Sequence, residues 1–593
     1  MWQVVLQAGF LLLCLRFLVA ATSAVYPDVW PVLVLIIGGL GLSAWRPVAA
    51  LFAFTVSVPL LNGLGYVGLA GCPSPLSLVF TAIFVGWILR QITSRFAGHR
   101  SQVTGQGQRA EGGATDSRSC RATEAKSRAT DAQSYGAIEA GELGSNPIPK
   151  TQTLKLSLAR LATDVLITAV LASLVMQIAR HHDAAGFWKV CCSQPVFGYG
   201  DPLYFITAAF VWLQGLFFFR MLIGGAGEKC QVPSPFAEAS ADKSAKCQDR
   251  SAQKGGTAEL RSDRATESQN YSTTGGAIAA WAKPVFAIYG VTLIGFLLIQ
   301  SVFKIPETNP YGANEKLFSP LEDIHSFGSF AVVLLVFAVA LWQWRTWIRA
   351  AFYGLWIAGL LALVILSWSR ATWLAGVLVL LLVAWIRLPK RWTAMLVAMG
   401  AIAVVVLNAN ANRGSWQRNE YLMRLISLAR VENLASKSPE RINLYQKAVG
   451  MIQEHPLTGH GIGSFYLTSV RFARPGDPYA DIPSFAHNFL LQMAAEMGIP
   501  SAALFAALIG YALHRGYRRW KTARLRSTSY DAAMSPTLVV TMALVAYLIT
   551  QMTANALNIY ISNQFFFWFL MAAVLSAVDC RKEAQESQIL KVE

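Results

Sequence analysis

Charge is scarce in this sequence. Of its 593 residues 14% are charged and 54% hydrophobic, whereas a soluble protein carries about a quarter charged residues. A water-soluble domain is thereby excluded, because runs of about 20 apolar residues recur along the chain, each long enough to cross a bilayer. Lipid cannot satisfy open backbone groups, so those runs are expected to be helices. Cysteines in metal-binding spacing are also missing: there are eight, with no CxxC. No metal and no cofactor are expected on that pattern. Acidic residues are few, 33 against 50 Lys and Arg, for a net charge of +17. That excess does not imply nucleic acid as a partner, because the basic residues gather in short connections between apolar runs, where they set membrane orientation. A basic leader is absent too, and Arg16 interrupts the first apolar stretch, which reads as an uncleaved span rather than a signal peptide.

What is present is a polytopic pattern. Hydropathy marks about fourteen stretches, near 4–24, 29–45, 47–70, 76–93, 157–179, 203–224, 278–302, 327–344, 348–367, 371–386, 392–408, 488–512, 535–557 and 563–579. With the N-terminus inside, every second connection is basic: Arg46; Arg345 and Arg349; Arg387, Lys390 and Arg391; Arg515 to Arg526; and Arg581 and Lys582 after the last stretch. An error of one span would scramble this alternation, so an even number is expected, with both termini cytoplasmic. The fold class that follows is an all-α polytopic membrane protein with one large outer loop. Its expected divisions are 1–93, 155–224, 278–408 and 488–580 as transmembrane helices, 409–487 as the loop, and 581–593 as a cytoplasmic tail. The polar segments 94–154 and 225–277 are rich in Gly, Ser, Ala and mixed charge and read as disordered cytoplasmic linkers. Cys72, Cys191 and Cys192 fall in outer connections, where a disulfide is chemically allowed.

The residues suited to chemistry gather late in the chain. Ser367-Trp-Ser-Arg370-Ala-Thr-Trp373 lies between two apolar stretches at the outer face. Its arginine reads either as a snorkelling side chain or as a phosphate clamp, since guanidinium binds phosphate oxygens two at a time. Ser438-Pro-Glu-Arg441 opens a helix that runs to about Glu454, with Ser438 as cap and Pro439 in the first turn. Arg441 and Tyr445 share a face of it. The segment His455-Pro-Leu-Thr-Gly-His460-Gly-Ile-Gly463 follows no strand and precedes no Walker lysine, so it is not a nucleotide loop. It reads as a turn that lets the backbone approach a substrate or a neighbouring helix. His487-Asn488 opens the next stretch, with Gln492 and Glu496 at four-residue steps and Glu496 about 13 Å into it by helix rise. Histidine is the commonest general base near neutral pH. His325, after Glu322 and Asp323, and His460 are secondary candidates. His181-His182-Asp183 and the pair Asp477 and Asp481 read as solvated loop rather than metal ligands.

Taken in order, these segments resemble the O-antigen ligase and O-antigen polymerase superfamily. The likeness rests on the motif around Arg370, on Glu440-Arg441 leading through Tyr445 into His455-Pro-Leu-Thr-Gly-His-Gly-Ile-Gly-Ser-Phe465, and on His487-Asn488 with Gly498 beyond. It covers about 350–510. Ligases of the family often continue with Gly and Thr-x-Gly where Ile499-Pro-Ser-Ala502 stands here. The resemblance implies a C-type glycosyltransferase-like architecture in the bacterial inner membrane with a helical periplasmic loop. It implies inverting, metal-independent transfer of a glycan from an undecaprenyl diphosphate carrier to a glycan, lipid A core or protein hydroxyl. By motif, His487 is the expected base, Arg370 and Arg441 the diphosphate ligands, and Tyr445, Asn488, Gln492 and Glu496 further substrate contacts. Polymerase and protein O-oligosaccharyltransferase are alternatives within the superfamily. A polysaccharide or lipid transporter is the alternative outside it, and would be expected to show internal repeats and a midplane site.

Overall fold

A computed structural model describes residues 2–23, 29–68, 75–111, 150–180, 200–225, 274–303, 324–341, 346–367, 369–410, 439–474, 480, 483–526, 535–554 and 556–576. Among them all regular structure is helical, and each of the fourteen hydropathic stretches overlaps a described helix. Five helical segments are both long and apolar enough to cross a membrane: Pro75–Ser94, Leu158–Ala179, Tyr204–Ile223, Arg370–Arg387 and Phe489–Thr522. Shorter apolar helices accompany them. Cys72, Cys191 and Cys192, His181–Asp183, Ser438, Asp477 and Asp481 lie outside the described residues, as do most of both polar segments. The first polar segment nonetheless begins as helix, because α4 (Pro75–Glu111) continues well past its apolar part.

The centre is α17 (Ile561–Ser576), in which every residue is buried. A helix that is apolar all round is one that other helices surround, and the aromatic run Phe565–Phe569 shows how. Phe565 meets Phe54 of α3 (Pro47–Gly68) at 4.7 Å, Phe80 of α4 at 4.9 Å and Phe218 of α6 (Tyr204–Gly225) at 5.1 Å between ring centroids. Phe566 stacks at 3.9 Å on Phe330 of α8 (Ile324–Leu341), and lies 5.7 Å from Tyr289 of α7 (Thr274–Phe303). Trp568 lies against Phe505 of α14 (Phe489–Arg526). Apolar surface alone does not hold helices together in lipid, so close packing has to. Gly215 of α6 provides it: a β-carbon there would come within 2.8 Å of the Trp568 ring.

Several charged side chains of this bundle are paired or aimed at helix ends. Arg220 of α6 makes an ion pair with Asp164 of α5 (Lys150–Ala179). Four other arginines reach the last carbonyls of neighbouring helices. Arg160 donates to Ile223 O at 2.9 Å, Arg519 to Val574 O at 2.8 Å, and Arg387 to Val339 O at 2.9 Å. Arg90 bonds Trp45 O at the end of α2 (Val29–Trp45). Helix C-termini carry unsatisfied carbonyls and partial negative charge, which cations complement. Of the basic residues read in the sequence as orientation signals, Arg387 and Arg519 thus close the ends of α8 and α17.

The opposite helix ends build the surface that carries the candidate residues. There α10 (Arg370–Arg387) and α8 begin side by side, α15 (Pro536–Ala554) ends, and α14 begins. A polar floor joins them. Ser329 donates to Thr550 Oγ1 at 2.7 Å, Asn563 to Ser326 Oγ at 2.8 Å, and Tyr547 to Asn563 Oδ1 at 2.9 Å. Asn558 Nδ2 donates to Phe489 O at 3.0 Å. α12 (Pro439–Glu454) packs over α14, and its bounds match the helix expected from its cap and its proline.

Candidate active site

Arg370 is the first residue of α10. Ser369 caps that helix by accepting from Thr372 N at 3.4 Å. Ser367 and the Trp373 indole are both bonded to Val364 O, at 2.7 and 2.8 Å, which ties residues on either side of Arg370 to one carbonyl. Arg441 is in the first turn of α12. A helix N-terminus already carries partial positive charge. An arginine placed there is unfavourable for the helix alone and favourable for a bound anion. Here two such arginines lie within electrostatic range of each other. Burial pushes the Arg441 guanidinium below its ordinary value; Tyr445 opposes that shift, the positive charge of Arg370 adds to it, and Glu440 opposes it. Both arginines are half-buried, and among the described residues neither is in an ion pair. Tyr445 shares the stripe of α12 that bears Arg441 and Ala448.

That stripe leads towards His487. Ala448 and Met451 pack in one cluster with Ala486, Phe465 and Ala495. Ala448 lies about 10 Å along the helix axis from Arg441, and Ala486 precedes His487. His487 itself has φ 49°, the left-handed region that non-glycine residues enter only at a cost of about 1 kcal/mol. Flanking bonds hold it there. Ala486 N donates to Gln492 Oε1 at 3.3 Å, and Asn488 Oδ1 accepts from Leu490 N and Leu491 N, each at 3.1 Å. A strained residue held by its neighbours is a recurrent mark of a working site.

Other candidates have different company. Glu496 is buried beneath the glycine-containing loop. Its carboxylate accepts from Gly463 N at 2.9 Å, Phe465 N at 3.3 Å and Gln492 Nε2 at 2.9 Å. Gln492 and Glu496 therefore bind protein backbone, and Asn488 caps α14. His325 is the second residue of α8, one turn before Gly328, which abuts Ser367 and Thr372 beside Arg370. His460 is buried at the far end of α12, about 20 Å along the helix axis from Arg441. Burial pushes its imidazole below the ordinary value, with the Met451 carbonyl opposing and His455 adding to the shift.

The loop from His455 to Gly463 docks backbone to backbone. α14 is broken at Gly498, whose φ is 82°. The break frees Ala495 O and Glu496 O, which accept from His460 N at 3.0 Å and Gly461 N at 2.8 Å, while Ile499 N donates to Pro456 O at 2.8 Å. A β-carbon on Gly498 would lie 2.1 Å from Leu457 O, and one on Gly459 2.4 Å from Glu496 O. Of the two partners expected for this turn, the structure shows a neighbouring helix. Gly498→Ala is expected to destabilise the protein by about 3 kcal/mol, from left-handed backbone plus overlap. Melting of the purified protein checks this; a midpoint within about 2 °C of wild type would contradict the docking.

Motif reading missed the other side of this loop. Ser173 accepts from Ile462 N at 2.8 Å, Gln177 donates to Ile462 O at 3.4 Å, and Arg180 donates to His460 O at 3.2 Å. All three lie at the end of α5 or just beyond it, where the only sequence signal is a polar residue every three or four positions.

Residues 355–506 match the model of the O-antigen ligase family. The resemblance read from the motifs therefore holds for the segment that contains Arg370, Arg441 and His487. No curated protein matches the chain.

Proposed function

We propose that this O-antigen ligase-like membrane protein is an inverting glycosyltransferase of the outer face of the bacterial inner membrane. It moves a glycan from undecaprenyl diphosphate to an acceptor hydroxyl. The observation that carries this reading is the pair of half-buried arginines in the first turns of α10 and α12, near enough for one charge to act on the other. Two like charges held near each other, neither in an ion pair among the described residues although Glu440 lies beside Arg441, suit a polyanion, and a diphosphate supplies one. On this reading the chain crosses the bilayer fourteen times with both termini in the cytoplasm. Nucleotide sugars are absent from the outer side, so the donor arrives already activated on lipid.

The steps follow from elementary chemistry. His487 takes the proton from the acceptor hydroxyl. The oxygen attacks the anomeric carbon from the side opposite the diphosphate, the new C–O bond forms and the old one breaks, and the carbon inverts. Charge that develops on the leaving diphosphate is held by Arg370 and Arg441. Tyr445 lies beside Arg441 and flanks the donor. Glu496, Gln492 and Asn488 act as positioning residues for the loop and the His487 turn.

A strain lacking the gene tests the reading. Full-length lipid-linked glycan should accumulate while the final acceptor stays unmodified. Single lipid-linked repeat units would assign the chain to the polymerase branch instead. A transporter is disfavoured because the candidate residues gather at helix ends, not at a midplane between repeats; lipid-linked glycan trapped on the cytoplasmic face would restore it. Unchanged surface polysaccharide and unchanged lipid-linked pools would end the proposal.

A further inference from the structure

The far end of α12 holds a second group of chemistry-bearing side chains, remote from the arginines and unused by the transfer steps. We propose that Glu454, His455 and His460 form a binding site for a divalent transition metal ion of the zinc type, which ties the end of α12 to the glycine-containing loop. The inference stands independently of the glycosyltransferase reading.

The donor set suits such an ion. Two imidazoles and one carboxylate are the usual nitrogen and oxygen ligands of zinc. Their ligand atoms all lie within 4.8 Å of one another. His460 Nε2 is 3.6 Å from Glu454 Oε2 and 3.1 Å from Met451 O. A tetrahedron with metal–ligand bonds of about 2.0–2.1 Å has edges of about 3.4 Å, so those two separations are already close to coordination. The His455 and His460 rings meet edge to face at 4.7 Å between centroids. His460 is 7% exposed, is walled on one side by Phe472, and has its backbone N–H bonded to Ala495 O at 3.0 Å. It is thus the fixed member. Glu454 and His455 are exposed and need to move only about 1 Å to close on an ion beside His460. In the metal-free state Nε2–H donates to the Met451 carbonyl, which can only accept. Metal binding at Nε2 moves that proton to Nδ1, and the carbonyl remains as a fourth donor or yields to water.

The position argues for a structural tie. The loop is joined to α14 and α5 by hydrogen bonds and by its buried Ile462, and α12 meets it through the turn at Pro456 and through His460, which contacts Met451 O and Glu454. An ion shared by Glu454 and His455 on the helix side and His460 on the loop side closes that turn. At about 20 Å from Arg441 along the helix, the ion takes no part in the transfer chemistry.

The test uses the full-length protein, purified in detergent, stripped with a chelator and titrated with zinc chloride, with cobalt chloride as the spectroscopic probe. Wild type should bind one zinc ion per chain, melt at a higher temperature when loaded, and give the visible spectrum of tetrahedral cobalt. Glu454→Gln and His455→Ala change exposed side chains, so both variants should melt like metal-free wild type. Each should bind zinc at least about tenfold more weakly and lose the cobalt spectrum. If wild type binds no zinc, or if either variant binds one ion as tightly as wild type, the proposal is overturned.

Discussion

His487→Ala should lower glycan transfer by about a thousandfold, or about 4 kcal/mol in the barrier, the middle of the range for a positioned general base. The loss should fall on turnover, with affinity for the lipid-linked diphosphate little changed, because both arginines remain. The residue's backbone supplies a control. At φ 49° a glycine is at ease where alanine is not, so His487→Gly should melt no lower than His487→Ala and be equally inactive. Single-turnover assays in vesicles with a lipid-linked donor separate the two quantities. Near wild-type transfer by either variant would remove His487 from the chemistry.

Arg370→Lys and Arg441→Lys should each cost about a hundredfold in transfer, since lysine keeps the charge but cannot grip two phosphate oxygens in a plane. The double variant should lose less than the product of the single losses, because both groups act on one leaving group. The same pair makes a stability prediction of opposite sign. Without donor, the two guanidinium groups repel each other and Arg441 is partly desolvated. Arg441→Gln should therefore raise the melting temperature of the donor-free protein slightly while transfer falls, the exchange of stability for function that a strained site produces. Donor lipid should stabilise wild type more than this variant. Equal stabilisation of both, together with undiminished transfer in the lysine variants, would sink the clamp.

Much of this architecture is legible without coordinates. Partition between water and lipid acts on each stretch of chain almost independently, so hydropathy alone marks fourteen stretches that each overlap a described helix. Capping is equally local: Pro439 and Pro456 bracket a helix that runs from Pro439 to Glu454. The chemical types at Arg370, Arg441 and His487 can be picked out in the same way, and the match over 355–506 lies on the segment that holds all three.

Tertiary structure decided what these residues face. No local signal brings Arg370 within electrostatic range of Arg441, turns Glu496 onto Gly463 N and Phe465 N, or seats the loop after His455 on the break at Gly498. Nor does any local signal show that Arg90, Arg160, Arg387 and Arg519 close the carbonyl ends of other helices. Transfer free energy belongs to a residue and its near neighbours, and is written in the order of the chain. A hydrogen bond or a repulsion belongs to two groups brought together from distant segments, and it exists only once the helices have packed.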